Sequence, residues 1–443
     1  MVRTRSITLS LGLFLITMLV LSCLSTSVFN LYNQTLAKQY IPTVKYRNLV
    51  IDLGKGVKTN AQLTFPAIGK GPFPGILLVH GAGPADMNYG GMFWQIAQYL
   101  SERGFVVLRY DKRGIGGNGT IINSDIWGNM TSNDLIHDAE KGVSVLVQQP
   151  EVDAKRISIV GHSEGGAITT RVAIDNPITK IKNIVLMAAR IQNAHDLLYH
   201  TFVRLPLEYA KQVLDKNHTG SIPIQQAIKD PLFGRYIDFS LANNQNYSAN
   251  VTTNTTDLGT LFLEVSSSNN ATARQLVGFT TAADSINIDK QLRAMLERTF
   301  ESAYKATIGE IHSKCEMPSL CPIYFKSVVG LKPTLNIIGN VSASTGILLL
   351  HGQNDTNSPV QHAFILQQKL TELNHPDHTL ITYPNLGHLF YPSSLWTTGI
   401  GPIPEYVLAD LYAWLEAHSG FTNHAIAATY VTSTPSSNSP TAK

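Results

Sequence analysis

The chain has little excess of either charge, few cysteines and no visible internal repeat. Its 34 basic and 31 acidic residues leave a formal net charge of +3, so the sequence indicates no nucleic-acid partner and no polyanionic one. What it has is length: 443 residues with 44% hydrophobic content provide for one large domain or two medium ones with a sizeable core.

Cysteine is scarce, with only Cys315 and Cys321 following Cys23. In an oxidising compartment a disulfide between Cys315 and Cys321 would close a short loop and stabilise the chain by about 2–3 kcal/mol on a chain-entropy estimate. His312 with these two cysteines would supply three ligands of irregular spacing, which is a poor match to a zinc site. A disulfide is therefore the favoured interpretation, and no metal centre is predicted.

Long uncharged apolar runs are also rare, and the clearest one lies at the N-terminus. Arg3 and Arg5 precede residues 7–24, which match either a signal peptide or a single membrane span. Residues 20–23 resemble a lipoprotein box, in which Cys23 would carry the lipid. Each alternative predicts an exported protein, located at the cell surface through a membrane anchor or secreted.

The frequency of Asn-x-Ser/Thr sequons agrees with an exterior location and predicts a glycoprotein. An Asn- and Thr-rich chain also produces such sequons by chance, so which of them carry glycans stays open. The sequons begin at Asn33, Asn118, Asn129, Asn217, Asn246, Asn250, Asn254, Asn270, Asn340 and Asn354.

Strand-like and helix-like segments alternate along most of the chain, which predicts an α/β fold with parallel strands joined by right-handed crossovers. The alternation stops near residue 190 and resumes near residue 341, and the irregular, partly helical stretch between them is most simply an inserted cap. We expect a leader or anchor at residues 1–24, a tether at 25–45 and a disordered tail at 421–443. Between them lie a first core part at 46–190, a cap at 191–340 and a second core part at 341–420.

The segment 161–166 reads Gly-His-Ser-Glu-Gly-Gly, after a strand-like run and before a helical pattern. This is the Gly-x-Ser-x-Gly pattern of a nucleophile elbow, in which a sharp turn exposes the serine above the sheet. Small residues at Gly161 and Gly165 let strand and helix approach, and Ser163 stands at the apex. The sequence therefore predicts Ser163 as a nucleophile.

A serine nucleophile requires a histidine base and an acid that orients it. Asp355 and His388 each follow a predicted strand, in the order serine, acid, histidine. They are therefore the predicted partners of Ser163, although Asp355 could instead cap the turn before Ser358. The competing histidines match the loop position less well; they are His351, His362, His375 and His378.

An oxyanion hole requires backbone N–H donors. Glu164 at the start of the elbow helix offers one, and the glycine-containing loop after the strand ending at His80 offers the other. Ala82 is the first candidate in that loop and Gly83 the second. The loop 111–114, Asp-Lys-Arg-Gly, is expected to be structural.

Together the motifs His80-Gly81, Tyr110–Gly116, Gly161–Gly166, Asp355 and Gly387-His388 resemble the α/β-hydrolase superfamily. The most similar members are carboxylesterases, serine aminopeptidases and dienelactone-hydrolase-like proteins with a Gly-His-Ser-Glu-Gly-Gly elbow. The resemblance spans residues 46–190 and 346–418. It implies an eight-stranded, mostly parallel sheet flanked by helices, acyl-enzyme hydrolysis, and no metal or organic cofactor.

The sequence thus predicts an exported serine hydrolase of carboxylic esters, with a small-molecule ester or peptide as substrate and a membrane contact through the N-terminal segment. A peptidase or thioesterase on the same site is the alternative. An aminopeptidase would need a carboxylate for the substrate's amine, and the cap offers Glu208, Asp215, Asp230 and Glu264. A catalytically silent surface-binding protein is the alternative from another class.

Overall fold

A computed structural model describes residues 43–176, 178–230, 233, 285–309, 322–396, 399 and 401–420. Several predicted features lie outside these residues: the N-terminal apolar run, most of the tether, the tail, and Cys23, Asn33, Asn246, Asn250, Asn254, Glu264, Asn270, His312, Cys315 and Cys321.

Eight strands form one sheet in the order β1-β2-β4-β3-β5-β6-β9-β10, and two short strands, β7 and β8, pair separately. The strands are β1 Val44–Gly54, β2 Val57–Pro66, β3 Phe73–Val79, β4 Val106–Tyr110, β5 Val152–His162, β6 Ile181–Met187, β7 Ser221–Pro223, β8 Ser285–Asn287, β9 Gly346–Gly352 and β10 His378–Tyr383. The first two form an antiparallel hairpin and β2 pairs antiparallel with β4. From β4 to β10 every pairing in the large sheet is parallel, which confirms the predicted fold class.

Helices cover both faces of this sheet. Those described are α1 Met92–Glu102, α2 Ser124–Gly128, α3 Ser132–Val147, α4 Glu164–Asp175, α5 Ala194–Tyr199, α6 Leu205–Tyr209, α7 Ile224–Lys229, α8 Arg293–Gly309, α9 Pro322–Val329, α10 Thr334–Ile337, α11 Gln361–Glu372 and α12 Glu405–Ser419. Side chains of α1 and α12 pack on one face, and side chains of α3, α4 and α11 on the other. The buried strands are apolar toward both faces because helices cover both.

Side chains cap the start of α3. Its N-cap is Thr131, which forms a reciprocal capping box with Asp134. The hydroxyl of Thr131 accepts from the backbone N–H of Asp134 at 3.2 Å, and the Asp134 carboxylate accepts from the backbone N–H of Thr131 at 2.9 Å.

The described part of residues 191–340 is mainly helical. Helices α5 and α6 run on into π-helical turns at His200–Arg204 and Ala210–Leu214. Their apolar side chains, with those of α8, form a hydrophobic cluster of their own, separate from the two clusters on the sheet. This separate packing agrees with an inserted cap, which stays a prediction.

Among the described residues, none of the helices combines the length and the apolar character needed to cross a membrane. The predicted membrane contact concerns the N-terminal run alone, and that run lies outside the described residues.

Candidate active site

Strand β5 ends in a sharp turn at Ser163, and α4 begins at the next residue. Ser163 has φ 54° and ψ −116°, a conformation that L-residues rarely adopt and that costs about 1–3 kcal/mol. The turn is held on both sides, since the N–H of Ser163 donates to the carbonyl of Met187 at 2.9 Å and its carbonyl accepts from the N–H of Gly166 at 3.1 Å. The local geometry is that of a nucleophile elbow.

The elbow glycines are required by close approach of the backbone. A Cβ atom on Gly161 would collide with the carbonyl of Gly165, and a Cβ on Gly165 would collide with the carbonyl of Val79. Strand β5, helix α4 and strand β3 therefore approach one another so closely that only glycine fits at these two positions.

Asp355 and His388 come together at the carboxyl end of the sheet. Strand β9 ends at Gly352, just before Asp355, and His388 follows β10. The Nδ1 atom of His388 lies 2.8 Å from Oδ2 of Asp355. The Asp355 carboxylate is fully buried and the His388 ring is 12% exposed. The acid is thus placed to hold the ring, and the ring keeps access to solvent.

Four hydrogen bonds hold the Asp355 carboxylate. Its Oδ1 accepts from the backbone N–H groups of Asn357 and Ser358, both at 2.9 Å. Its Oδ2 faces His388 and, at 3.2 Å, Nε2 of His351. Burial raises the pKa of Asp355, but the charge of His388 and the hydrogen bonds of both imidazoles outweigh it and hold that pKa well below its usual range. The carboxylate therefore stays ionised at neutral pH.

Of the competing histidines, only His351 also contacts Asp355. Its ring is 2% exposed, and its Nε2 donates to the carbonyl of Ser358 at 2.6 Å. His362 is buried on α11, while His375 and His378 lie at the entrance of β10. His388 is the predicted candidate that packs against the elbow, through His162.

His162 connects His388 to the elbow, a role that the sequence did not predict. Its Nε2 donates to the carbonyl of His388 at 2.8 Å, and its Nδ1 accepts from the hydroxyl of Tyr89 at 3.1 Å. The rings of His162 and His388 have centroids 4.7 Å apart. His388 is therefore packed against the residue that immediately precedes Ser163.

The predicted oxyanion loop also lies at the elbow. A Cβ atom on Gly81 would stand 3.1 Å from the Cβ of Ser163, so this loop and the serine are in direct contact. The buried side chain of Lys112 reaches into the loop, where its Nζ donates to the carbonyls of Gly81 at 2.6 Å and Gly83 at 3.1 Å. Sequence reasoning missed this contact of Lys112.

A buried charge pair joins Lys112 to the first residue of α4. The Nζ of Lys112 lies 3.8 Å from Oε2 of Glu164, and both side chains are under 5% exposed. The hydroxyl of Tyr324, from α9, donates to the other carboxylate oxygen of Glu164. Burial, with the carboxylate of Glu164, raises the pKa of Tyr324 well above its usual value. Burial lowers the pKa of Lys112. Glu164 thus connects the oxyanion loop to the segment 191–340.

The other charged residues of the loop 111–114 are structural, as predicted. Arg113 holds the carboxylate of Asp138 on α3, with its Nε 2.7 Å from Oδ2. Asp111 accepts from the backbone N–H of Met87 at 2.7 Å.

The three candidate acids that the structure describes in the segment 191–340 are Glu208, Asp215 and Asp230, and each has a protein partner. Asp215 accepts from the backbone N–H groups of Thr219 and Gly220, and Asp230 accepts from the hydroxyl of Tyr209. Glu208 is exposed and accepts from Gln212, one helical turn away. None of these contacts singles out a site for a substrate amine. Within the described ranges no group of three or more His, Cys, Asp or Glu side chains is arranged to hold a metal ion.

The buried histidines of the site predict a steep loss of stability in acid. Burial, with the charge of His388, lowers the pKa of His162 to about 3, and burial, with the charge of Lys112, lowers the pKa of His80 to about 3. The unfolded chain binds these protons near pH 6.5, so their contribution is complete above that pH and is lost as pH falls toward 3. Each histidine should contribute a slope of about 1.4 kcal/mol per pH unit.

Urea unfolding between pH 7 and pH 4.5 checks this expectation. The variant His80→Gln should lower the pH slope of the unfolding free energy by about 1.4 kcal/mol per pH unit, the contribution of one proton. His137→Gln, at a half-exposed ring, should leave the slope unchanged. Equal slopes for His80→Gln and the parent protein would contradict the assignment.

The fold and the site together define a class of protein. A mostly parallel eight-stranded sheet, a strained serine between β5 and α4, and an acid–histidine pair after β9 and β10 are the architecture of an α/β-hydrolase.

Comparison with known proteins agrees with this class. The family model "Serine aminopeptidase, S33" matches residues 72–267, and the model of the prolyl oligopeptidase family matches residues 330–422. The esterase EstD of Thermotoga maritima is 36% identical over 117 residues, which cover 25% of this chain and 26% of the esterase. The uncharacterized peptidase YuxL of Bacillus subtilis is 28% identical over 199 residues, covering 39% of this chain and 30% of that protein.

Among solved structures, the proline iminopeptidase of Mycobacterium smegmatis is 14% identical, with a TM-score of 0.46, and the match covers 84% of this chain and 99% of that one. The chain spans 26% of the length of EstD and 30% of the length of YuxL. With its sheet topology and the two family models, the chain belongs to the α/β-hydrolase superfamily.

Proposed function

We propose that this protein is a serine hydrolase that cleaves carboxylic esters through an acyl-enzyme. The observation that supports the proposal is the packing of the Asp355–His388 pair against His162, the residue that precedes the strained Ser163. The similarity to an esterase supports the ester as substrate class, and the family models of serine peptidases support a serine-dependent reaction.

In the proposed mechanism Ser163 attacks the acyl carbon while His388 takes the hydroxyl proton at Nε2. Asp355 holds the Nδ1–H of His388, so that Nε2 is free to accept, and stabilises the ring once it is charged. The N–H groups of Ala82 and Glu164 bind the oxyanion. His388 then returns the proton to the leaving alcohol, and water repeats the sequence on the acyl-enzyme.

The contact of Lys112 with the oxyanion loop gives Ala82 its orientation in this mechanism. Because a trans peptide is planar, the carbonyl of Gly81 and the N–H of Ala82 point in opposite directions. A lysine that holds the carbonyl of Gly81 therefore directs the N–H of Ala82 away from itself. Lys112 is a positioning residue of the proposed oxyanion hole.

Replacing Lys112 with methionine should lower kcat and leave KM nearly unchanged. Loss of one oxyanion donor costs about 10²–10³ in rate, so a misaligned donor should cost about 10- to 100-fold. The measurement is steady-state hydrolysis of a short p-nitrophenyl ester, with Lys155→Met as the exposed control.

The single variant leaves Glu164 as a buried carboxylate without its lysine, which destabilises the fold. The double variant Lys112→Met/Glu164→Gln removes both charges and keeps the backbone N–H of Glu164. It should recover thermal stability while kcat stays low. A double variant with the parent's kcat would show that Lys112 serves stability alone.

A substrate panel tests the proposed function itself. The protein is assayed with short-chain p-nitrophenyl esters, acyl thioesters and aminoacyl p-nitroanilides, each with Ser163→Ala as the control. Esters should show the highest kcat/KM. Preferred cleavage of the anilides would favour an aminopeptidase, and preferred cleavage of thioesters a thioesterase. If no substrate is cleaved and a fluorophosphonate probe does not label the protein, the silent binding protein is the better account.

We also propose that the protein is exported and acts outside the cytoplasm. Support comes from Arg3, Arg5 and the apolar run 7–24, and from sequons on exposed residues such as Asn118 and Asn217. Asn354 is a poor glycan acceptor, since its Nδ2 donates to the carbonyl of Ser393 at 2.7 Å. Protease treatment of intact cells that produce a C-terminally tagged chain tests export, because an exported chain should be digested and a cytoplasmic one protected.

A further inference from the structure

A cleft lies beside the elbow, and three of its lining residues, Arg171, Arg190 and Lys332, are cationic. It is bordered by Ala167 and Arg171 on α4, by residues 190–194 after β6, and by residues 328–334 around Lys332. Neither the proposed mechanism nor the predicted motifs use this cleft.

The side chain of Arg171 and the backbone of Arg190 are held in place by hydrogen bonds. The guanidinium of Arg171 donates to the carbonyl of Ala167 at 2.7 Å and to the carbonyl of Lys332. The N–H of Arg190 donates to the carbonyl of Ser163 at 3.1 Å, and its own carbonyl accepts from the hydroxyl of Thr334 at 3.1 Å. The cleft is therefore built on the elbow and on α10.

No acidic side chain is among the described residues that line this cleft. Burial, together with the positive charge of Arg190, lowers the pKa of Arg171 to about 10. Asp196 is the first acid after Arg190 in the sequence, and its carboxylate accepts from Nδ2 of Asn193 at 2.9 Å. Two guanidinium groups that repel each other in a partly buried cleft are stabilised when an anion lies between them.

The donors of the cleft define the ligand. Guanidinium groups bind carboxylates and phosphates in paired hydrogen bonds. We propose that Arg171, Arg190 and Lys332 form a binding site for a small oxyanion, the phosphate or carboxylate group of a ligand.

Binding of inorganic phosphate and of acetate tests the proposal without requiring catalysis. Thermal unfolding of the full chain is followed during titration with each salt, against sodium chloride at equal ionic strength. The parent protein should show a saturable stabilisation by at least one of the two oxyanions. Arg190→Gln should weaken the apparent affinity about tenfold, as loss of one charge-assisted contact does, and Arg190→Lys should retain part of it.

Two further variants keep the test decisive. Lys332→Gln, at an exposed side chain, should fold normally and weaken binding. Lys182→Gln removes an equal charge from an exposed position of β6 and should bind like the parent. Absence of saturable binding in the parent, or equal affinity in the parent, Arg190→Gln and Lys332→Gln, would overturn the proposal.

The anionic group belongs either to an acidic substrate or to a free anion, and a comparison of two esters distinguishes these sources. A neutral ester is compared with the same ester carrying a terminal carboxylate. If the group belongs to the substrate, Arg190→Gln should raise KM for the acidic ester alone, and phosphate should compete with that ester. If it is a free anion, phosphate should bind without competing with either ester.

Discussion

Replacing Ser163 with alanine should lower the rate of ester hydrolysis by about 10⁴-fold or more. The expectation follows from the elbow geometry, since the strained turn between β5 and α4 places this one hydroxyl above the sheet, beside the oxyanion loop and the His162–His388 pair. With no hydroxyl, no acyl-enzyme forms. The measurement is kcat/KM on a short p-nitrophenyl ester, together with a test for burst kinetics.

Alanine should be well tolerated at this position, because the hydrogen bonds that hold the turn are made by the backbone of residue 163. Thermal unfolding of Ser163→Ala should therefore resemble that of the parent. Ser124→Ala, at an exposed serine in α2, serves as the matched control and should keep the parent's rate. If Ser163→Ala folds and hydrolyses the ester at the parent's rate, Ser163 is not the nucleophile.

Replacing Asp355 with asparagine should lower kcat by about 10⁴-fold at neutral pH. The backbone N–H groups of Asn357 and Ser358 require an oxygen at the Oδ1 position, so the new amide nitrogen must face His388 and His351. That nitrogen donates, so Nδ1 of His388 has to accept. The proton of His388 then lies on Nε2, where it blocks removal of the serine proton.

The control for this variant is His351→Gln, which removes the second imidazole on the Asp355 carboxylate. Because Nδ1 of His388 keeps its acceptor, this variant should retain activity within about tenfold of the parent, while its stability falls. A large loss in His351→Gln with little loss in His388→Gln would reverse the assignment of the base.

Much of the sheet and the positions of Ser163, Asp355 and His388 were predictable from the sequence. The reason is that each of them follows an apolar strand segment, and the carboxyl ends of parallel strands lie at one edge of a sheet. Periodicity therefore locates strand ends, and the chemistry of serine, acid and histidine selects among the residues that follow them.

The contact of Lys112 with Gly81 could not be predicted in this way. It depends on β4 lying next to β3, and local pattern does not give the order of strands in a sheet. The proximity of Arg190 to Arg171 depends on the same long-range packing.

The segment 191–340 has little regular hydrophobic periodicity from which its structure could be predicted. Its described helices contain π-helical turns, which shift the spacing of apolar residues away from the regular helical period. The substrate preference of the protein would depend on this segment if it acts as a cap, which is why ester and amide substrates have to be compared directly.

The central claim is that Ser163 is a nucleophile activated by His388. Its most direct test is to treat the intact protein with a fluorophosphonate and to map the adduct by mass spectrometry of its peptides. One adduct should form, on the peptide that contains Ser163, and His388→Gln should slow its formation by several orders of magnitude. No adduct on a folded protein, or an adduct on another residue, would contradict the claim.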